Sequence, residues 1–139
     1  MVSAASAANS SLSGPTGVKM SGPYSWVPPK YWLTDPGQYG GAFGFLTEGG
    51  PGENPMTFES LTVTVPAADL WPPAPDDCWG HCANPRGALN SLVRFNGPLA
   101  ERYGVNASDP TLGVRAYLYA AHAQASPSSY FMMQSVARS

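Results

Sequence analysis

Gly40–Gly52, GGAFGFLTEGGPG, is the stretch on which the reading of the fold turns. Its first half, Gly41 to Leu46, is apolar, aromatic and uncharged. Thr47 then leads to a single carboxylate, Glu48, and the chain enters a loop of Gly49, Gly50, Pro51 and Gly52. A short continuous apolar run bounded by glycine is the pattern of a strand covered on both faces, as in parallel sheets. In α/β barrels the catalytic groups sit where such strands end, because the strand is rigid and the loop is open to substrate. Glu48 is therefore the leading candidate for chemistry, beside the plainer reading of a solvated loop glutamate with the same local pattern.

The rest of the chain limits what this strand belongs to. Its 139 residues suffice for one domain, whereas a complete (β/α)8 barrel typically takes ~250. The 15 glycines and 15 prolines imply many turns, and 43% hydrophobic residues suit a globular chain. Charged residues are 12% with a net charge of -2, a balance that suggests neither nucleic acid nor an anionic membrane as partner. No apolar run is long enough to span a bilayer. The N-terminus, MVSAASAANSSLSG, lacks the basic start and apolar core of a signal peptide, and the sequence assigns no compartment. Asn9-Ser10-Ser11 and Asn106-Ala107-Ser108 match the glycosylation pattern, a common triplet that matters only in a secretory protein.

Immediately upstream lies VKMSGPYSWVPPKYWLTDPGQ, where Tyr24, Trp26, Tyr31 and Trp32 crowd around Pro23, Pro28 and Pro29. Proline fixes the backbone and removes amide donors, so an extended, irregular segment is expected. Four aromatics there have two readings. They can stack against sugar rings, burying the C–H faces of pyranoses, or they can pack the loop onto the protein.

These residues carry a resemblance. GVKMSGPYSWVPPKYW followed by GGAFGFLTE is similar to the segment around the nucleophile of glycoside hydrolase family 2 exo-β-D-glucosaminidases, relatives of the β-mannosidases, in which a GPY-x-x-VPP-x-YW stretch precedes a GAFGF-x-(S/T)-E strand. Leu70-Trp71-Pro72, Trp79 and Ala100–Gly104 extend the match over most of residues 17 to 125. The resemblance implies a (β/α)8 catalytic barrel and retaining hydrolysis of terminal β-linked glucosamine from chitosan-type chains. It assigns the nucleophile to Glu48 and expects an amino-sugar oligosaccharide as partner, with no cofactor and no metal. A second carboxylate would stand ~5–5.5 Å away to protonate the leaving oxygen. In the family it ends an earlier barrel strand, which has no counterpart here.

The fold expected is thus α/β: a partial (β/α)8 barrel segment, the nucleophile strand plus following helices, incomplete by itself. Residues 1–17 read as a flexible loop or tail, 18–125 as the C-terminal part of a glycoside hydrolase barrel and 126–139 as a divergent tail. The strand is expected to lack a hydrogen-bonding neighbour and the isolated chain to be loosely folded and inactive, needing the rest of the barrel. The alternative is a non-catalytic carbohydrate- or partner-binding remnant that uses the aromatic loop 24–32. Negative charge near the substrate ammonium would help an amino-sugar site, a role open to Asp35 or to Glu53, although Glu53 in its Gly/Pro loop reads as solvated.

Downstream, Asn54 is expected to cap a helix with Pro55 at its first position, opposed by the β-branched run Thr62–Val65 and ending at Pro66. Leu89, Leu92, Val93, Leu99 and Tyr103 recur at helical steps, with Gly97-Pro98 expected to kink or split the segment. Ser108 or Asp109 is expected to cap a second helix from Pro110, with Leu112, Tyr119 and Ala123 along one face and an end near Ser126-Pro127. His122 reads as a surface or interface residue. Cys78 and Cys82 flank Trp79, Gly80 and His81, a spacing that matches no closed zinc site; a small disulfide ring and two free thiols both stay open.

Overall fold

The computed structural model describes residues 9–10, 14–15, 18–19, 23–33, 45–46, 50–73 and 91–138, with backbone alone at 9–10, 14–15, 18–19, 45–46, 91–93 and 138. Helix predominates among them. The chain divides into two units, Met1–Gly52 with Ser126–Ser139, and Glu53–Ala125.

In the first unit, β1 (Asn9–Ser10) pairs antiparallel with β2 (Gly14–Pro15). A second ladder is parallel: β3 (Val18–Lys19) lies beside β4 (Phe45–Leu46), with Val18 opposite Phe45 and Lys19 opposite Leu46. The strand leading to Glu48 therefore has a neighbour, contrary to the expectation of an orphan. Parallel strands need a long crossover, and residues 20–44 provide one. That crossover contains α1 (Pro29–Trp32), a single turn inside the segment expected to be irregular. Pro28 precedes it in extended conformation, and Pro29, its φ already helical, occupies the start.

α1 exists to bury Trp32, which is 1% exposed. Its Nε1–H donates to Ser128 Oγ at 2.9 Å, and Ser128 Oγ donates to the Val27 carbonyl at 2.6 Å. One fully buried hydroxyl thus satisfies two groups of the aromatic segment from about a hundred residues away in sequence. Ser128→Ala leaves both without that partner and is expected to cost about 2–4 kcal/mol, since each buried polar group left unsatisfied costs roughly 1–3 kcal/mol. Ser128→Thr keeps the hydroxyl and should recover part of the loss in a urea titration.

In the second unit, α2 (Phe58–Thr64) is capped by Thr57, whose Oγ1 accepts from the Ser60 N–H at 3.3 Å; Asn54 and Pro55 lie outside the helix. The β-branched run is accommodated because Thr62 and Thr64 return their hydroxyls to the carbonyls of Glu59 (3.0 Å) and Ser60 (2.9 Å). Leu61 and Val65, four apart, are buried. A 3-10 turn, Ala67–Asp69, follows.

The two long helices run through prolines expected to break them. α3 (Ser91–Tyr103) contains Pro98, and α4 (Val114–Arg138) contains Pro127. A proline inside a helix deprives the carbonyl four residues back of its donor and loosens that turn. Ala123 is the carbonyl concerned for Pro127, and Tyr103 Oη donates to it at 3.2 Å. In the turn before Pro98, the Phe95 carbonyl accepts from Gln124 Nε2 at 3.0 Å. Tyr103 and Gln124 thus each tie their helix to a backbone carbonyl of the other.

Phe95 and Leu99 on α3 are buried, as are Tyr117, Leu118, Ala120, Ala121, Gln124 and Ala125 on α4. Tyr119, set by the sequence reading along one face with Leu112 and Ala123, is 82% exposed. The helix starts at Val114 because residues 109–113 form a turn ending in Gly113 at φ +78, a conformation that favours glycine. Asp109 holds that turn, its carboxylate accepting from Thr111 N (2.8 Å) and Oγ1 (2.7 Å), and these bonds keep its pKa below the ordinary value. Residues 126–138 are part of α4.

Candidate active site

Glu48 follows β4 by two positions and lies outside the described residues, as do Asp35, Cys78, His81 and Cys82. What surrounds it in sequence is defined on both sides. Before it stands the parallel β3/β4 ladder. After it, the loop is fastened to the start of the aromatic segment, where the Gly50 N–H donates to the Pro23 carbonyl at 2.9 Å. Gly52, at φ +98, sits so close to the backbone of Ser25 and Trp26 that a Cβ there would overlap it. Only glycine meets both demands, the positive φ and the close approach. This packing brings Gly50 and Gly52 together with Pro23, Ser25 and Trp26.

The four aromatics divide. Trp32 is interior, fixed by Ser128, and Tyr31 meets it edge-on at 5.0 Å between ring centroids. Tyr31 and Trp26 are half-buried, and Tyr24 is 47% exposed. Tyr24, Trp26 and Tyr31 thus keep some solvent-exposed surface, whereas Trp32 keeps almost none. Ser128 and Gly52 escaped the sequence reading. A serine within a helix carries no mark of its partners, whereas the Gly/Pro loop did mark Gly52 as a turn without revealing what it touches.

Glu53 belongs to the other unit and is half-buried, with its Oε1 buried, in place of the solvated position expected. It lies near enough to Tyr117 for its charge to act on the phenol. Burial first, and then Glu53, push the Tyr117 pKa far above its ordinary 10.0, and Tyr117 Oη donates to Asn96 Oδ1 at 2.9 Å. Trp71 packs on the same ring at 5.2 Å and donates Nε1–H to the Asp109 carbonyl at 2.9 Å. A raised folded pKa means that the neutral phenol's contribution is complete below the ordinary tyrosine value and is lost as pH rises toward the folded one. Tyr117→Phe cannot ionise and should lack this alkaline loss, while giving up about 0.5–1.5 kcal/mol near neutrality with the Asn96 bond. Thermal melts at neutral pH and at about pH 11 would show the two curves converging on the alkaline side.

His122 Nε2 lies 2.8 Å from the Pro55 carbonyl; since a carbonyl only accepts, Nε2 carries the proton and the ring fastens α4 to the residues before α2. Among the described residues no group of three His, Cys, Asp or Glu side chains could hold a metal ion, and no helix is long and apolar enough to cross a membrane.

Comparison with known proteins gives this arrangement a class and then a family. An exo-β-D-glucosaminidase of Streptomyces avermitilis is 34% identical over 110 residues, covering 75% of this chain and 11% of that enzyme. Exo-β-D-glucosaminidases of Hypocrea jecorina (36% over 107 residues, 70% of this chain) and Amycolatopsis orientalis (33% over 116 residues, 78% of this chain) are similar across the same small share, 11% of each. These relatives are glycosidases. The chain belongs to the family of the exo-β-D-glucosaminidases, a name that implies glycoside hydrolase family 2, and it spans about 11% of the length of the curated relatives it matches. No protein-family model matches the chain, and no solved structure does.

Proposed function

We propose that the chain is the nucleophile-bearing segment of a retaining β-glycosidase barrel acting on terminal β-linked glucosamine, with Glu48 as the nucleophile. The relationship to exo-β-D-glucosaminidases supports the substrate class. The observation that carries the site is the fastening of Gly50 and Gly52, just past Glu48, onto Pro23, Ser25 and Trp26. It packs residues two and four positions past Glu48 in sequence against the aromatic segment, which supports the reading, and the parallel pairing of β3 with β4 suits a barrel origin.

The chemistry follows from the residue types. A Glu48 oxygen attacks the anomeric carbon as the C1–O glycosidic bond breaks, giving a glycosyl ester. A second carboxyl group, ~5–5.5 Å away, protonates the departing oxygen and then draws a proton from the water that hydrolyses the ester. Tyr24, Trp26 and Tyr31 would stack on the C–H faces of the sugar. The acid/base carboxylate comes from another barrel strand, so the 139 residues by themselves are inactive.

The test is the stereochemistry of the first product. A complete barrel carrying this segment, continuous with the chain or grafted in place of the matched 110 residues of the Streptomyces relative, should release β-glucosamine from a chitosan oligomer before mutarotation, read by proton NMR. Initial release of the α-anomer means inversion and defeats the assignment of Glu48 as a nucleophile.

A further inference from the structure

Asn106-Ala107-Ser108 lies in the connection between α3 and α4, well away in sequence from the catalytic loop and unused by the reading above. Asn106 and Ser108 are both exposed, and the middle residue is alanine, which leaves the triplet competent where proline would not. The geometry is specific. The Asn106 Oδ1 accepts from the Ser108 N–H at 2.9 Å, and the Asn106 carbonyl accepts from the Asp109 N–H at 3.1 Å. This turn needs only the oxygen of the Asn106 amide. Its nitrogen, the atom that forms an N-glycosidic bond, is not used to hold the turn, and the Ser108 side chain is at the surface two residues on.

We propose that Asn106 is an N-glycosylation acceptor, taking an oligosaccharide from a lipid-diphosphate-linked donor. In that transfer a bond forms between Asn106 Nδ2 and the sugar C1, the C1–O bond to the diphosphate breaks, the amide nitrogen loses one proton, and the lipid diphosphate leaves. A glycan here stands on a helix–helix connection and displaces none of the buried side chains of α3 or α4. The other triplet, Asn9-Ser10-Ser11, has its first two residues committed to the β1/β2 ladder, with Asn9 opposite Pro15 and Ser10 opposite Gly14. Asn106 is accordingly the site expected to be occupied. The inference is independent of the glycosidase reading.

The experiment is translation of the full chain behind a cleavable secretory leader into endoplasmic-reticulum microsomes, which hold the donor and modify chains during translocation. The wild type should show a one-glycan mobility shift removed by an amide-cleaving glycosidase. The shift should persist in Asn9→Gln and Ser108→Thr and vanish in Ser108→Ala and Asn106→Asp. The aspartate keeps an acceptor oxygen for the turn, so its loss of the shift reports the missing amide nitrogen. Absence of a shift in the wild type, or a shift removed only by Asn9→Gln, overturns the proposal.

Discussion

Gly52→Ala is expected to pull the loop after Glu48 off the aromatic segment. At φ +98 an L-residue is strained by roughly 1–2 kcal/mol, and the added Cβ collides with backbone atoms of Ser25 and Trp26, which no side-chain rotation relieves. Overpacking of this kind typically adds about 1–3 kcal/mol, so the combined cost is about 2–5 kcal/mol. Gly50 provides the control in the same loop, since a Cβ there meets nothing within 4 Å. Limited proteolysis and tryptophan emission should therefore change sharply in Gly52→Ala and little in Gly50→Ala. Equal behaviour of the two variants would mean that the close approach at Gly52 does not hold the loop.

The second large effect is on chemistry. In a complete barrel carrying this segment, Glu48→Gln preserves the size of the side chain but removes the negative oxygen that attacks the anomeric carbon. Loss of an enzyme's nucleophile lowers kcat by about 10⁴-fold or more while binding through other contacts survives. Turnover of a glucosamine oligomer should fall by that order with KM changed far less. A variant retaining a tenth of the activity would point to a supporting role for Glu48.

The sequence spoke most clearly where chemistry and backbone constraints coincide. The GAFGF run with its terminal glutamate and glycine loop marked a strand end, and β4 lies within that run at Phe45–Leu46. Its parallel partner Val18–Lys19 was not legible, because two residues beside a glycine- and serine-rich stretch have no period to read. Helix content after residue 90 followed from apolar spacing, but the ends did not. Pro98 and Pro127 looked like breaks, yet both helices continue through them, and the Ala123 carbonyl, four residues before Pro127, has a tertiary donor in Tyr103. Tyr119 shows the other limit: with the helix starting at Val114, the buried face passes through Tyr117, Ala121 and Gln124. The aromatic crowd at 24–32 was plain in the sequence, whereas the division between an interior Trp32 and half-exposed neighbours depends on Ser128, far along the chain.

The most direct test of the central claim is covalent trapping in a complete barrel that carries this segment. A 5-fluoro-β-D-glucosaminyl fluoride keeps the 2-amino group and has a leaving group good enough to form the ester, while the ring fluorine slows its hydrolysis. Peptide mass spectrometry should then find the sugar esterified to Glu48 within Gly40–Gly52, released again by hydroxylamine. A trapped sugar on any other carboxylate would contradict the account.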